Sequence, residues 1–83
     1  MAPAVAFTNG FRIDMYFPPA EHGPAHVHVW KSGTEAIVML DDAATVRGQT
    51  EMRTADIAFA RRLVRDNRDR LLQRWRELHH DGA

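Results

Sequence analysis

Short stretches in the first half of the chain alternate apolar and polar residues. In FRIDMYF, residues 11–17, the apolar set lies on one side and the polar set on the other: Phe11, Ile13, Met15 and Phe17 against Arg12, Asp14 and Tyr16. HVHVW, residues 26–30, repeats the pattern with Val27 and Val29 inward and His26, His28 and Trp30 outward. This period of two predicts strands with one buried face. EAIVML, residues 35–40, predicts a central strand, and TVRG, residues 45–48, a brief edge strand.

From about residue 53 the apolar positions recur at spacings of three, four and seven, which predicts an amphipathic helix. Thr54 is the expected N-cap, because its hydroxyl can accept from the first free backbone amides. Asp66 and Asn67 could mark a break into two helices. Since the apolar stripe stays in phase across them, we expect one long helix with at most a kink.

These elements predict an α+β fold: an antiparallel meander of three to four strands with the helix packed on its apolar face. We expect a flexible N-terminus over residues 1–10, a single domain over 11–79 and a frayed C-terminus over 80–83. One shared core is expected to contain Phe11, Ile13, Met15, Phe17, Val27, Val29, Ile37, Ile57, Val64, Leu71 and Trp75.

The outward residues of the first two strands are expected to meet on the open face of the sheet. A register that pairs Tyr16 with His26 also pairs Asp14 with His28 and Arg12 with Trp30. In an antiparallel pair of strands, the residue numbers of opposed residues always add up to the same value. This face would combine basic, acidic, imidazole and aromatic groups. A purely structural open face more often carries Thr, Lys and Glu.

Three interpretations of the histidines stay open. In the first, His26 or His28 is a general acid or base for metal-free RNA cleavage, oriented by Asp14 and assisted by Tyr16. In the second, His22, His26 and His28 bind a divalent metal, although three histidines from one loop and strand form a poor tetrahedral set. In the third they pack or contact a partner. We expect no cofactor and no tightly bound metal.

Composition and charge indicate a soluble globular domain with two oppositely charged parts. The chain has 83 residues, 45% apolar and 27% charged, with no cysteine and a net charge of zero. These features, with no apolar run long enough for a membrane span, favour a cytoplasmic protein. Residues 1–52 carry three basic and six acidic side chains, whereas residues 53–77 carry eight arginines and four acidic side chains.

The arginine-rich helix is interpreted in two ways. It is either a solvated face with Asp–Arg pairs or a surface for RNA or an acidic protein, since guanidinium groups bind phosphate and carboxylate in a bidentate way. The leading candidates for such binding are Arg61, Arg65, Arg68 and Arg76, together with Arg12 and Trp30 on the sheet.

The segments MYF, EHGPAHVHV and RDRLLQRW resemble the prokaryotic domain-of-unknown-function family DUF4160. Its members carry a loop similar to Asp-His-Asn-Pro-Pro-His-Phe-His-Val and end on Leu-Leu-x-x-Trp. Glu21 stands for the family's Asp, His22 for its first His, and His26 and His28 for its paired histidines, whereas Ala25 replaces the second proline. The resemblance covers roughly residues 11–77.

The resemblance implies a small protein encoded beside a second small domain, as in a type II toxin–antitoxin module, with the present domain as the toxin. The turn-histidine-strand layout is also similar to that of small HicA-type ribonuclease toxins. We therefore expect a toxin-like ribonuclease with a small antitoxin partner. The alternative is a non-enzymatic binding or regulatory module whose histidine face and arginine-rich helix contact a partner. Homo-oligomerisation stays open.

Overall fold

The computed structural model describes residues 4–16 and 23–79. The elements in chain order are β1 Ala4–Thr8, β2 Phe11–Asp14, β3 His26–Lys31, β4 Thr34–Met39, β5 Val46–Arg47, α1 Thr54–Asp66 and α2 Arg68–His79. The five strands form one sheet in the order β1-β2-β3-β4-β5, and each neighbouring pair is antiparallel. The predicted α+β antiparallel meander is confirmed.

The N-terminal hairpin adds a strand that the sequence analysis did not predict, within the segment 1–10 that it expected to be flexible. β1 pairs with β2 through the two-residue turn of Asn9 and Gly10, whose φ angles are 51° and 81°. Asn and Gly adopt positive φ at little cost, which suits a turn that matches the twist of the flanking strands. The sheet therefore has one strand more than expected, and β2 ends at Asp14, while Phe17 lies outside the described residues.

A second tight hairpin joins β3 to β4. Ser32 and Gly33 form its turn with φ angles of 52° and 78°, and Lys31 lies opposite Thr34. This turn sets the register further along, so that Trp30 lies opposite Glu35 and His28 opposite Ile37. The residue pairs thus alternate between the two faces of the sheet.

The core lies between the sheet and α1. The ring of Phe59 on α1 stacks on Phe11 with the ring centroids 4.7 Å apart. The buried members of the predicted core are Phe11, Ile13, Met15, Val27, Val29, Val64 and Leu71. Ile57 and Trp75 are partly buried and pack against this cluster, whereas Ile37 is only half-buried on the other side of β4.

The single long helix predicted for the second half of the chain is instead two helices, which are separated by Asn67. Asn67 is the C-cap of α1, and its side-chain Nδ2 donates to the carbonyl of Leu63 at 2.8 Å. Asparagine favours such positions because its amide competes for backbone hydrogen bonds. At the other end, Arg53 and not Thr54 is the N-cap residue, with no side-chain hydrogen bond. Neither helix is long and apolar enough to cross a membrane.

Candidate functional site

Two of the three predicted residue pairs between β2 and β3 are confirmed. Asp14 lies opposite His28 and Arg12 opposite Trp30. Tyr16 lies beyond the end of β2, and its ring meets His28 edge-on with the centroids 4.4 Å apart. The fold therefore brings together the residues that the sequence places on one sheet face.

This face is not open at the histidines, which corrects the expected exposure of His26 and His28. His26 is 1% exposed, His28 7% and Asp14 4%. After the break at Asn67, α2 brings Trp75 to within 5.2 Å of His26 between ring centroids. By the strand alternation, His26 lies on the face of the sheet opposite to Phe11, so Trp75 contacts that face while it also packs against the shared core.

Five aromatic and imidazole rings form a continuous chain of contacts, here called the ring cluster. Its members are Tyr16, His28, His26, Trp75 and His79, in that order. The rings of His26 and His28 are 5.4 Å apart, and His79 stacks on Trp75 at 3.7 Å. The ring cluster ties the start of β3 to the last turns of α2.

His28 contacts the carboxylate of Glu35, a residue that the sequence analysis missed. His28 Nδ1 lies 2.6 Å from Glu35 Oε2, and the Glu35 side chain is 35% exposed. Glu35 is the diagonal neighbour of His28 across the hairpin, two positions before Ile37, on the same face. Diagonal neighbours are within reach of long side chains, so the two-residue turn between β3 and β4 was the signal that could have identified it.

The hydrogen bond of His26 assigns one of its protons. His26 Nδ1 lies 2.9 Å from the carbonyl oxygen of Pro24. Because a carbonyl only accepts, Nδ1 carries the hydrogen and donates it. His79 Nδ1 donates in the same way to the carbonyl of Trp75 at 3.0 Å. His26 is thus oriented by the loop that precedes β3, and His28 by a carboxylate.

Arg12 connects the acidic and aromatic parts of the face. Its Nε lies 3.1 Å from Asp14 Oδ2, and its guanidinium carbon lies 5.6 Å from the ring centroid of Trp30. The Arg12 side chain is 46% exposed, whereas that of Asp14 is 6% exposed. Asp14 Oδ1 and Trp30 Nε1 are buried and have no hydrogen-bond partner among the described residues.

The alternative metal set cannot be assembled from the described residues. His22 lies outside them, and within residues 4–16 and 23–79 no three His, Cys, Asp or Glu side chains converge as metal ligands do. The imidazoles that are described have protein partners, with His26 Nδ1 on a carbonyl and His28 Nδ1 on a carboxylate.

The four arginines expected to form one binding surface are divided between two roles. Arg61 donates from Nε to the carbonyl of Ala44 at 3.1 Å and from Nη2 to that of Ala43 at 2.9 Å. Arg68 donates from Nε to the carbonyl of Leu40 at 3.1 Å. Both are half-buried and attach the helices to the segment between β4 and β5, whereas Arg65 and Arg76 are exposed.

The comparisons with known proteins identify the family of the chain and nothing closer. Neither a curated protein nor a solved structure is detectably similar to it. The family described as "Domain of unknown function (DUF4160)" matches residues 10–76, which span β2 to β5, α1 and most of α2. The matched region includes the paired histidines, Glu35 and Trp75, so every member of the ring cluster except His79 lies within the family's domain. The chain is a member of the DUF4160 family.

Proposed function

We propose that this domain is the toxin-like component of a two-gene module and that it cleaves RNA, with His28 as the proton-transferring group. The observation that carries the proposal is the 2.6 Å contact between His28 Nδ1 and Glu35 Oε2. A carboxylate on one ring nitrogen orients an imidazole for acid–base catalysis and fixes its tautomer. Since the chain has no cysteine, the proposal includes a cytoplasmic location, where RNA is available.

The reaction follows from this orientation. When the neutral His28 ring donates from Nδ1 to Glu35, its other nitrogen carries the lone pair that can accept a proton. In the proposed step that nitrogen takes the proton of a ribose 2′-hydroxyl, and the 2′-oxygen attacks the neighbouring phosphorus. The bond to the 5′-oxygen breaks, and that oxygen leaves with a proton from solvent. The products are a 2′,3′-cyclic phosphate and a 5′-hydroxyl.

Two further contacts favour His28 over His26 for this role. His26 is 1% exposed and stands between His28 and Trp75, so it is farther from any bound phosphate. Arg12 lies two residue pairs along the sheet from His28, on the same face, and its side chain is 46% exposed. A guanidinium at that position can stabilise the charge that develops on phosphate.

The proposal is tested by RNA cleavage with purified protein, together with growth after expression of the chain alone. His28→Ala should lower kcat/KM by about 10²–10⁴-fold, the usual contribution of a general acid or base. Glu35→Gln should lower kcat with little change in KM, because Glu35 positions the ring and does not contact RNA. His79→Ala is the matched control, since His79 belongs to the ring cluster but lies on α2. Cleavage by His28→Ala at the wild-type rate would overturn the assignment.

A second candidate is a non-enzymatic module that binds a small antitoxin-like protein encoded by a neighbouring gene. It is favoured by the burial of both histidines, which leaves Arg12, Trp30, Glu35, Ile37 and Arg47 as more accessible groups of the same face. Aromatic residues and arginine are enriched in protein interfaces. In this case, binding of the neighbouring gene's product should be weakened by Ile37→Asp and unaffected by His28→Ala.

A further inference from the structure

Trp30 lies between two surface pockets of opposite charge. The first, here called the hairpin-turn pocket, has a volume of about 560 Å³ and lies between the β1–β2 and β3–β4 turns. Its charged lining residues are Arg12 and Lys31; among the described residues no carboxylate lines it, and Asp14, which pairs with Arg12 Nε, is not part of the lining. The second pocket, of about 700 Å³, is lined by Glu35 and Glu51. An anion is therefore favoured on one side of the indole and disfavoured on the other.

The cations of the hairpin-turn pocket are held against aromatic rings. Lys31 Nζ donates to the carbonyl of Asn9 at 3.0 Å and lies 4.9 Å from the ring centroid of Phe11. The guanidinium of Arg12 lies 5.6 Å from the ring centroid of Trp30. The contact of Lys31 with Asn9 joins the two turns, and Gly10 is close enough that an added Cβ would lie 2.9 Å from Lys31 Nζ. The pocket is thus positively charged and partly ordered by its own contacts.

We propose that the hairpin-turn pocket binds one nucleotide of single-stranded nucleic acid, with the base against Trp30 and the phosphate on Arg12 and Lys31. Stacking on an aromatic side chain beside basic groups is the general means of holding single strands. The pocket volume lies within the range of small-ligand sites. A paired base could not reach the indole in this way, so single strands are favoured over duplexes.

This proposal rests on the proposed function for its choice of RNA as the natural ligand. Trp30 is two positions from His28 on β3 and on the same face. Two residues of a strand span roughly 7 Å. A nucleic-acid strand held at Trp30 therefore passes close to the His28–Glu35 pair. The pocket would then act as a subsite for the nucleotide beside the cleaved bond.

The test measures binding of a fluorescein-labelled single-stranded oligothymidine by anisotropy. This DNA probe lacks the 2′-hydroxyl, so its binding does not depend on cleavage. Trp30→Ala should weaken binding by about tenfold or more, and Trp30→Phe should retain most of the affinity. Arg12→Gln and Lys31→Gln should each weaken binding and reduce the slope of log K against log salt by about 0.7. The matched control is Arg47→Gln, an exposed cation outside the pocket, which should bind like wild type.

The outcomes separate the pocket from the ribonuclease. Binding of oligothymidine with these variant effects, without RNA cleavage, would support the pocket and reject the proposed function. Equal binding of a DNA duplex or of a polyglutamate peptide would overturn the nucleotide proposal, the latter in favour of an acidic protein ligand. Binding of oligothymidine by Trp30→Ala with the affinity of wild type would also overturn the nucleotide proposal. If circular dichroism shows that Trp30→Ala does not fold, the comparison of Lys31→Gln with Arg47→Gln decides.

Discussion

His28 and Glu35 are joined across the β3–β4 hairpin, with 2.6 Å between Nδ1 and Oε2. The two residues are not directly opposed in the ladder, since His28 pairs with Ile37 and Glu35 with Trp30. Their contact is a diagonal one on a single sheet face, between a buried imidazole and a partly exposed carboxylate. This geometry makes the pair a structural link as well as the candidate catalytic group.

The link between His28 and Glu35 can be measured apart from any activity. In a double-mutant cycle of His28→Ala and Glu35→Ala, we expect a coupling free energy of about 1 kcal/mol, the usual net value of such a hydrogen bond. The measurement is urea unfolding of the four proteins at one pH. Additive effects of the two substitutions would mean that the contact does not stabilise the fold.

Ile13 tests the core between the sheet and α1. Its side chain is fully buried on β2, opposite Val29. Ile13→Ala should lower the free energy of unfolding by about 2–5 kcal/mol, because it removes buried methylene groups and leaves a cavity. Ile37→Ala on the opposite face is the control and should cost less, since Ile37 is half-buried. If Ile13→Ala lowered the free energy of unfolding by less than Ile37→Ala, the assignment of Ile13 to the buried face of the sheet would be wrong.

Arg61 is expected to stabilise the fold and not to bind a partner. Arg61 lies in the middle of α1, and its guanidinium donates to the carbonyls of Ala43 and Ala44. Arg61→Ala should lower the free energy of unfolding by about 1.5–3 kcal/mol, as for hydrogen bonds from a charged group. Arg65→Ala, at an exposed position on the same helix, should stay within about 0.5 kcal/mol of wild type. Equal effects would reject the structural role of Arg61.

Asp41 predicts a specific loss of stability in acid. The backbone N–H of Thr45 donates to Asp41 Oδ1 at 3.0 Å, and this bond, with a second from the Thr45 side chain, lowers the pKa of Asp41 below 3.8. Because the pKa of Asp41 is lower in the folded state, its ionised carboxylate stabilises the fold above pH 3.8. This stabilisation is lost as the pH falls through the pKa of the folded state.

The acid effect is measured by urea unfolding at a series of pH values. Asp41→Asn should be less stable than wild type near neutral pH, and the difference should shrink below pH 3.8. Gln49→Ala, which removes an exposed side chain that does not titrate, is the control, and its difference from wild type should not change with pH. A constant difference between Asp41→Asn and wild type across the whole range would reject this role of Asp41.

The register of the sheet is the part of the fold that the sequence predicts best. Alternation assigns Ile13 and Val29 to one face of the sheet. Because the residue numbers of opposed residues in an antiparallel pair have a constant sum, pairing Ile13 with Val29 also places Asp14 opposite His28. The missed strand β1 had a recognisable signal, because Asn9-Gly10 is the dipeptide most typical of a two-residue hairpin turn. The strand itself is a weak signal, because it has only five residues and two of them are alanine, which is depleted in strands.

The burial of the histidines was harder to predict than their face. Alternation gives the direction of His26 but not what covers it, and the covering ring belongs to Trp75, which is far away in sequence. Trp75 lies on α2, beyond Asn67, and an apolar stripe that stays in phase does not predict that one of its members also covers a histidine on the other sheet face. A local amide hydrogen bond from Asn67 outweighs the continuous periodicity of the helix.

Trp75 should hold α2 against the sheet. Its ring lies 5.2 Å from His26 and 3.7 Å from His79, and it is half-buried. Trp75→Ala should lower the free energy of unfolding by about 2–3 kcal/mol, less than the ~3–5 kcal/mol of a fully buried tryptophan. We also expect faster amide hydrogen exchange in α2 than in α1, because the aromatic contacts of α2 with β3 are lost.

The second tryptophan provides the control for this effect. Trp30→Ala removes an indole of the same size from the other end of β3, where the ring contact is with Arg12. Any loss of global stability should accelerate exchange in both helices alike, so Trp30→Ala should accelerate exchange in α2 no more than in α1. If Trp75→Ala accelerated exchange no more in α2 than in α1, the ring cluster would not be what fixes α2. In that case the burial of His26 would have to come from the loop before β3, whose Pro24 carbonyl accepts its Nδ1 hydrogen.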